Sequence, residues 1–221
     1  MKEYKLPKST FVGAWFIKEK LCDDIISYFE KLPSNLKHDG SMGNSEVNKS
    51  QKDSIDTNIR GWEMTYPLIE YQKQLMNCLS LYEKKFYEVY MLSRFSIGEE
   101  GYNIQKYKIG GGFKVWHCER NNLNQSSRVL VFMTYLNNVE DGGTFFKYQN
   151  IKIPAKKGLT LIWPSDWTHT HKGEVSKTKE KFIVTGWFSF LQEEKNEKSK
   201  SKNKKSSKSF EESIESTCWS S

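Results

Sequence analysis

The sequence predicts an α+β, mainly β domain in which an antiparallel sandwich or jelly roll carries two N-terminal helices packed outside it. Two observations lead to this prediction. After Gly101, seven short runs rich in β-branched and aromatic residues follow one another in about 90 residues, separated by Gly-rich turns and not interrupted by a helical pattern. Before Gly101, apolar residues recur at helical spacing in two segments. A length of 221 residues with 37% hydrophobic side chains suits one compact domain, or one domain with a tail.

Two helices are predicted in the N-terminal part, residues 1–100. The first covers residues 17–32, where apolar side chains recur every three or four positions and Pro33 ends the pattern. The second begins near Pro67 and has one broad apolar face. This face comprises Leu68, Tyr71, Leu75, Leu79, Tyr82, Phe86 and Tyr90. Between the helices, residues 34–61 are polar and longer than a usual connection, which predicts either a disordered segment or a mobile flap over a site.

The predicted strands lie in residues 101–191 and form the jelly-roll core. Their runs read NIQKYKI, FKVWHCE, RVLVFMTYL, TFFKY, NIKI, LTLIW and KFIVTGWFSFL. The last segment, residues 192–221, alternates Lys and Ser with acidic patches and has too little apolar surface to offset its ordering entropy. We therefore expect a single folded domain over residues 1–191 and a disordered tail.

Composition excludes several classes of protein. No run approaches the roughly 20 apolar residues of a membrane-spanning helix, and the N-terminus lacks a signal-peptide core, so we expect a soluble, cytoplasmic protein. The four cysteines are scattered without the spacing of a zinc or disulfide framework. The net charge of +7 would favour an anionic partner, but only four of the basic residues are arginine, which argues against nucleic-acid binding.

The segment WHCER holds the first candidate metal ligands, His117 and Glu119. If the segment is extended, both side chains lie on one face and Cys118 lies on the other. A His-x-acid pair on its own is common. The segment WTHTHKG, about fifty residues later, offers a second imidazole from His169 or His171. Two imidazoles and one carboxylate occupy one face of an octahedral iron(II) ion and leave its other positions open.

Lys181 begins the most hydrophobic run, KFIVTGWFSF. An ammonium group pointing inward from that strand would require an anionic partner, such as an organic acid bound to the metal. The alternative is that its side chain extends to solvent at the end of the strand.

Several ordered motifs occur together in residues 102–190. The residues Tyr107, Gly110, Phe113, His117 and Glu119 follow the spacing Tyr-x2-Gly-x2-aromatic-x3-His-x-acid. They are followed by Tyr-Leu-Asn at 135–137, the acidic Gly-Gly turn at 140–143, the Pro-to-Gly turn at 154–158, and a basic residue ten positions after the last histidine. In these motifs the sequence resembles the iron(II)- and 2-oxoglutarate-dependent dioxygenases, in particular the prolyl 4-hydroxylase-like branch. The resemblance implies a double-stranded β-helix, a cupin-like jelly roll.

The resemblance also implies roles for individual residues. It makes His117, Glu119 and His171 the iron ligands, and it favours His171 over His169 because the family places this ligand directly before a short polar-Gly step. Glu119 stands where the branch usually has Asp.

For 2-oxoglutarate, the resemblance implies that Lys181 pairs with the far carboxylate, that the Tyr135 hydroxyl assists, and that Tyr107 lines the same pocket. It places Arg128 and Trp187 on the substrate side and on the pocket wall.

The implied activity is hydroxylation of a C–H bond, in a prolyl or other peptidyl side chain, with release of succinate and CO2. The implied cofactors are Fe(II), 2-oxoglutarate, O2 and L-ascorbate as reductant. Three alternatives stay open at this point. They are a hydroxylase of a free amino acid or small metabolite, a non-catalytic β-barrel module that binds zinc or only satisfies buried hydrogen bonds, and a nucleic-acid demethylase, which the scarcity of arginine disfavours.

Overall fold

Twelve β-strands and three α-helices form the regular structure of residues 1–42, 46–61, 63 and 65–191, the part of the chain that the computed structural model describes. The strands are β1 (Gly13–Phe16), β2 (His38–Asp39), β3 (Lys52–Asp53), β4 (Ile55–Ile59), β5 (Phe95–Tyr107), β6 (Gly112–Phe113), β7 (Arg128–Tyr135), β8 (Val139–Phe146), β9 (Ile151–Ala155), β10 (Leu159–Pro164), β11 (His171–Gly173) and β12 (Lys181–Phe190). The helices are α1 (Glu19–Lys31), α2 (Leu68–Lys85) and α3 (Tyr87–Tyr90).

Within the described residues, the strands form three antiparallel sheets. The major sheet has the order β1-β10-β7-β12-β5-β4-β2, the minor sheet has the order β11-β8-β9, and β3 pairs with β6. The major and minor sheets face each other, since the Tyr135 hydroxyl on β7 lies 2.6 Å from Thr144 Oγ1 on β8, and Phe146 on β8 packs edge-on against Trp163 on β10. This is the predicted jelly roll, with helices outside it.

Strand β7 is buried along its whole length because both of its faces are covered. Leu130 and Phe132 face outward and pack in the cluster formed with α1 and α2. Val131 and Met133 alternate with them and face inward, where they pack against side chains of the minor sheet. The molecule therefore has one hydrophobic core between helices and major sheet and a second between the two sheets.

Both helices form where apolar periodicity predicts them, with one correction. Helix α1 buries Leu21, Ile25 and Phe29 and ends at Lys31, before Pro33. The predicted continuation of the second helix to Tyr90 is wrong. Phe86 leaves the helical backbone region at φ −126° and ψ 79°, where its ring packs on those of Tyr82 and Phe11. As a result, the following short helix α3 leaves Tyr90 66% exposed.

The segment 34–61 is not a disordered loop in its described residues, which corrects one of the two expectations for it. It contains β2, β3 and β4, and β4 pairs with β5 in the major sheet, with Asp56 opposite Gln105 and Asn58 opposite Asn103. The apolar residues Ile55 and Ile59 at the ends of β4 pack in the hydrophobic cluster between the helices and the major sheet. The polar residues around them in the sequence hide this pattern. Strand β4 thereby extends the major sheet beyond β5.

Residues 192–221, where the sequence predicts a disordered tail, lie outside the described residues, so the domain boundary at residue 191 stays a prediction. In the described part of the chain, no helix combines the length and the apolar character needed to cross a membrane.

Candidate metal centre

Three side chains proposed from the sequence as metal ligands converge in the structure. The Oε1 atom of Glu119 lies 3.4 Å from Nε2 of His117 and 3.5 Å from Nε2 of His171. One ligand atom from each residue falls within 4.8 Å of the other two. Ligands on adjacent positions of an octahedral ion with bonds of about 2.1 Å lie about 3 Å apart, so a small ion fits among these atoms.

Main-chain hydrogen bonds bring the two histidines together. The amide of His117 donates to the carbonyl of His171 at 3.0 Å, and the amide of His171 donates to the carbonyl of His117 at 2.9 Å. His171 begins β11, whereas His117 lies in the connection between β6 and β7 and joins the sheet only through this bridge. The extended strand expected around His117 and Glu119 is thus reduced to a single bridged residue.

The orientation of each imidazole is fixed from its far side. Nδ1 of His117 lies 3.0 Å from the carbonyl oxygen of Val115, and Nδ1 of His171 lies 2.9 Å from that of His169. A carbonyl can only accept, so both Nδ1 atoms carry the proton and donate it. The lone pair of each Nε2 is therefore directed into the site, which is the tautomer that a metal ion binds.

Aromatic rings enclose the two histidines. The ring of Phe113 stacks on His117 with centroids 3.6 Å apart, and His171 is surrounded by Phe146 and Trp163 at 5.6 and 5.1 Å. Burial in these surroundings lowers the pKa of His171, with a further contribution from the nearby His117. A lowered pKa keeps the imidazole neutral and available as a ligand at neutral pH.

The carboxylate of Glu119 is held between the histidines and two residues of the major sheet. Burial alone would raise the pKa of Glu119, but the proximity of the His117 and His171 imidazoles outweighs burial and holds the pKa well below its usual value. The Nε1–H of Trp187 donates to the other oxygen, Oε2, at 3.0 Å, and the Arg128 guanidinium lies 3.8 Å from it. The structure thus places Trp187 and Arg128 against the acidic ligand candidate.

Lys181 is buried, with its ammonium facing inward rather than extending to solvent. Nζ donates to the main-chain carbonyls of Gly142 and Glu174, both at 2.9 Å, and lies 5.3 Å from the centre of the Tyr107 ring. Burial lowers the pKa of Lys181 to about 8, and the carboxylates of Glu174 and Asp141 offset this only in part. An ammonium has three hydrogens, and the two carbonyls use two of them. The third can bind a buried anion.

The two tyrosines proposed beside Lys181 line the same cavity. The Tyr135 hydroxyl lies 2.6 Å from Thr144 Oγ1, and the Tyr107 hydroxyl donates to Gln105 Oε1 at 2.7 Å. Burial raises the pKa of both hydroxyls, so each remains a neutral donor at neutral pH.

His169, the rival candidate for the distal ligand, points elsewhere. Its Nε2 donates to the main-chain carbonyl of Thr10 at 3.0 Å, and its Nδ1 lies 3.0 Å from Thr168 Oγ1. Both ring nitrogens are therefore engaged outside the cluster, and in the described residues the second imidazole facing Glu119 is that of His171.

A cavity of about 670 Å³ connects the ligand cluster, Lys181 and the two tyrosines. The sequence did not indicate one part of its wall, which consists of Lys52 and of polar residues of β4 and β5, including Glu100. The alternating polar residues Asp56-x-Asn58 and Asn103-x-Gln105 are the sequence pattern that indicates this part of the wall. The pattern can be recognised only once β4 is known to be a strand.

Comparisons with known proteins show similarity to one superfamily. Residues 102–189 match the model of the 2OG-Fe(II) oxygenase superfamily, and this range contains all three ligand candidates and Lys181. Over these residues the chain is similar to the 2OG-Fe(II) oxygenase superfamily. The matched range and its donor set of two imidazoles and one carboxylate, which suits Fe(II), are those of a 2-oxoglutarate-dependent dioxygenase.

Solved structures of prolyl hydroxylases share the fold of this chain. A viral collagen prolyl hydroxylase from Paramecium bursaria Chlorella virus-1 matches with a TM-score of 0.61 at 18% identity, over 82% of this chain and 97% of that one. A prolyl-4-hydroxylase from Pseudomonas putida matches with a TM-score of 0.61 at 12% identity, over 82% and 93% of the two chains.

A prolyl hydroxylase from Trichoplax adhaerens, in complex with a peptide fragment of the oxygen degradation domain of hypoxia inducible factor, matches with a TM-score of 0.63 at 15% identity, over 82% and 84%. No curated protein matched the sequence significantly.

Proposed function

We propose that this oxygenase hydroxylates a C–H bond in a prolyl or other peptidyl side chain, coupled to conversion of 2-oxoglutarate to succinate and CO2. The observation that carries the proposal is the meeting of three ligand atoms and one buried ammonium in a single cavity. In a metal site without a cosubstrate, the buried ammonium of Lys181 would lack the bound anion that its third N–H can contact.

In this proposal His117, Glu119 and His171 hold Fe(II), and L-ascorbate keeps the metal reduced. When bound, Fe(II) supplies the redox centre at which dioxygen and 2-oxoglutarate react. Lys181 binds the far carboxylate of 2-oxoglutarate with its remaining N–H, and the Tyr135 hydroxyl supports the same carboxylate. Tyr107 closes this end of the pocket, and its ring lies next to the ammonium.

Main-chain carbonyls orient the ligands, and aromatic side chains around them exclude water. Carbonyls of Val115 and His169 hold the imidazoles in the metal-binding tautomer, and the rings of Phe113, Phe146 and Trp163 shield them from solvent. A dry pocket strengthens the charge interactions of the ligands and limits side reactions.

A peptidyl substrate is favoured by the size and lining of the cavity. Side-chain amides line it away from Lys181, on β4 and β5 and on the connection between β6 and β7, namely Asn58, Asn103, Asn121 and Gln125. Primary amides both donate and accept hydrogen bonds, as does a peptide main chain. The likeness in fold to a prolyl hydroxylase that holds a peptide supports the same class of substrate.

The first experiment measures succinate formation by the purified protein with Fe(II), L-ascorbate, O2 and 2-oxoglutarate, before and after addition of a library of proline-containing peptides. We expect slow succinate release without peptide and faster release with an accepted peptide, which gains the mass of one oxygen atom. His171→Ala and Lys181→Ala should both be inactive.

Two results would contradict parts of the proposal. Succinate release stimulated by free amino acids but by no peptide would refute the peptidyl substrate. Lack of 2-oxoglutarate binding to the Mn(II)-loaded protein would refute the cosubstrate role of the cavity and leave a metal-binding module.

A further inference from the structure

The two oxygens of the Glu119 carboxylate have different surroundings. Oε1 is the atom that faces both histidine Nε2 atoms, at 3.4 and 3.5 Å. Oε2 accepts the indole N–H of Trp187 at 3.0 Å and lies 3.8 Å from Arg128. One oxygen is therefore free for a metal ion, and the other is engaged by the protein.

The indole that engages Oε2 is itself held in place. The Arg128 guanidinium stacks on the Trp187 ring at 3.5 Å from its centre. Arg128 in turn donates two hydrogen bonds to the Glu100 carboxylate, at 3.0 and 2.7 Å, and one to the main-chain carbonyl of Glu119 at 3.0 Å. The amide of Glu119 is fixed as well, since it donates to the carbonyl of Ser165 at 3.1 Å.

We propose that Trp187 is a positioning residue that keeps Glu119 a one-oxygen metal ligand, by holding Oε2 away from the ion. This inference rests on the metal role of Glu119 in the proposed function. A glutamate side chain has one more rotatable bond than an aspartate, so its carboxylate can turn both oxygens toward an ion more easily. The Trp187 N–H restrains that rotation.

The number of oxygens that Glu119 contributes matters for binding of the cosubstrate. An octahedral ion with two imidazoles and one carboxylate oxygen keeps three positions open, and a second carboxylate oxygen would reduce these to two. Chelation by 2-oxoglutarate needs two positions and dioxygen needs one. Because Lys181 anchors its far carboxylate, 2-oxoglutarate cannot use every pair of open positions. An Oε2 atom that occupied one of its two positions would compete with cosubstrate binding and leave the metal bound.

The test substitutes Trp187→Phe, which removes the indole N–H and keeps an aromatic ring for Arg128 to stack on. Infrared difference spectra between Mn(II)-loaded and metal-free protein report how the ligand carboxylate binds, because the separation of its antisymmetric and symmetric stretches is larger for one-oxygen binding than for chelation. We expect this separation to decrease in the variant. Calorimetry should show about tenfold weaker binding of 2-oxoglutarate to the Mn(II)-loaded variant, with Mn(II) affinity unchanged or higher.

Two further variants sharpen the test. Trp167→Phe, the same substitution at an indole that is 66% exposed, should match the wild type in every readout. Glu100→Gln, at a carboxylate that is 39% exposed, weakens the support of Arg128 without disturbing the core and should shift the spectrum in the same direction by a smaller amount. This variant keeps the inference testable should Trp187→Phe fail to fold.

An unchanged stretch separation in Trp187→Phe, or a parallel loss of Mn(II) and 2-oxoglutarate affinity, would overturn the positioning role. Glu119→Gln distinguishes this from failure of the proposed function. If the metal-dependent carboxylate bands persist in that variant, Glu119 is not a metal ligand, and both the metal assignment and the role of Trp187 are wrong.

Discussion

At the scale of single residues, we expect Lys181 to make the binding of 2-oxoglutarate depend on pH. Its pKa is lowered to about 8 by burial, so its charge is present below that pH and is lost as the pH rises through it. We expect the affinity of the Mn(II)-loaded protein for 2-oxoglutarate to be constant below about pH 8 and to fall by up to about tenfold per pH unit above it. Calorimetry from pH 7 to pH 10 measures this dependence.

Lys181→Met is the matched control for that titration. It keeps the volume of the side chain without a charge, so 2-oxoglutarate binding should be weak and nearly independent of pH, while Mn(II) binding is retained. A wild-type affinity that stays flat across the same range would show that the carboxylate is bound by another group.

The sequence motifs predicted which residues come together at the site, but not how these residues are held. The spacing of His117, Glu119, His171 and Lys181 could be recognised without coordinates. The contact of Trp187 with Glu119 could not, because Glu119 lies in a connection whose path is set by long-range hydrogen bonds to Ser165. Periodicity predicts the face on which a strand residue lies, but gives no position for such a connection.

At the scale of secondary-structure elements, β4 depends on a buried ion pair. Lys52 Nζ lies 2.7 Å from Asp56 Oδ2, and both side chains are more than 90% buried. Asp56→Ala leaves the ammonium without its counter-charge, which should lower the free energy of unfolding by about 3–5 kcal/mol in urea titrations. The double variant Lys52→Met/Asp56→Ala should recover much of this loss.

The exposed ion pair Lys49–Asp39 provides the control for β4. Its side chains are 59% and 48% exposed, so Asp39→Ala should cost less than about 1 kcal/mol. Equal losses at the two pairs would show that burial does not decide the strength of the effect.

Helix α2 provides a second comparison at this scale. Leu75 is fully buried against the major sheet, whereas the adjacent Met76 is 44% exposed. Leu75→Ala should lower the free energy of unfolding by about 3 kcal/mol, and Met76→Ala by less than about 0.5 kcal/mol. Chemical denaturation of both variants measures the difference, and similar values would contradict the helix orientation.

These elements differ in how far the sequence predicted them. Helices α1 and α2 followed from apolar periodicity, because each buries one face on the sheet. Strand β4 was missed because it is five residues long, lies in a polar stretch, and carries inward-facing polar residues that line the cavity instead of packing in a core. A functional lining of this kind removes the hydrophobic alternation that a strand otherwise shows.

At the scale of the whole molecule, binding at the site should stabilise the fold. A ligand that binds only the native state at a concentration 100 times its Kd contributes about 2.7 kcal/mol, which corresponds to an increase in Tm of about 5–10 °C for a chain of this size. Thermal unfolding with Mn(II), and then with Mn(II) and 2-oxoglutarate, should show two successive increases. Lys181→Met should retain the first and lose the second, and absence of both in the wild type would contradict a site formed in the native state.

The jelly roll itself was predictable because its strands are short, rich in β-branched and aromatic residues and separated by Gly-rich turns. The order of strands was not. Strand β1 pairs with β10, and β12 lies between β7 and β5, so the neighbours in the major sheet come from distant parts of the chain. Such pairings depend on the packing of both sheets at once, which local patterns do not contain.

The two reciprocal main-chain hydrogen bonds between His117 and His171 also allow formation of the site to be followed directly. Each amide proton lies in a hydrogen bond that exists only while two segments distant in the sequence are joined. The rates of hydrogen–deuterium exchange at these two amides therefore measure how often the bridge between His117 and His171 opens. The measurement requires neither bound metal or cosubstrate nor turnover. Slow exchange at both amides in metal-free protein would mean that the site is assembled before any ligand arrives, so that little ordering entropy remains to oppose binding.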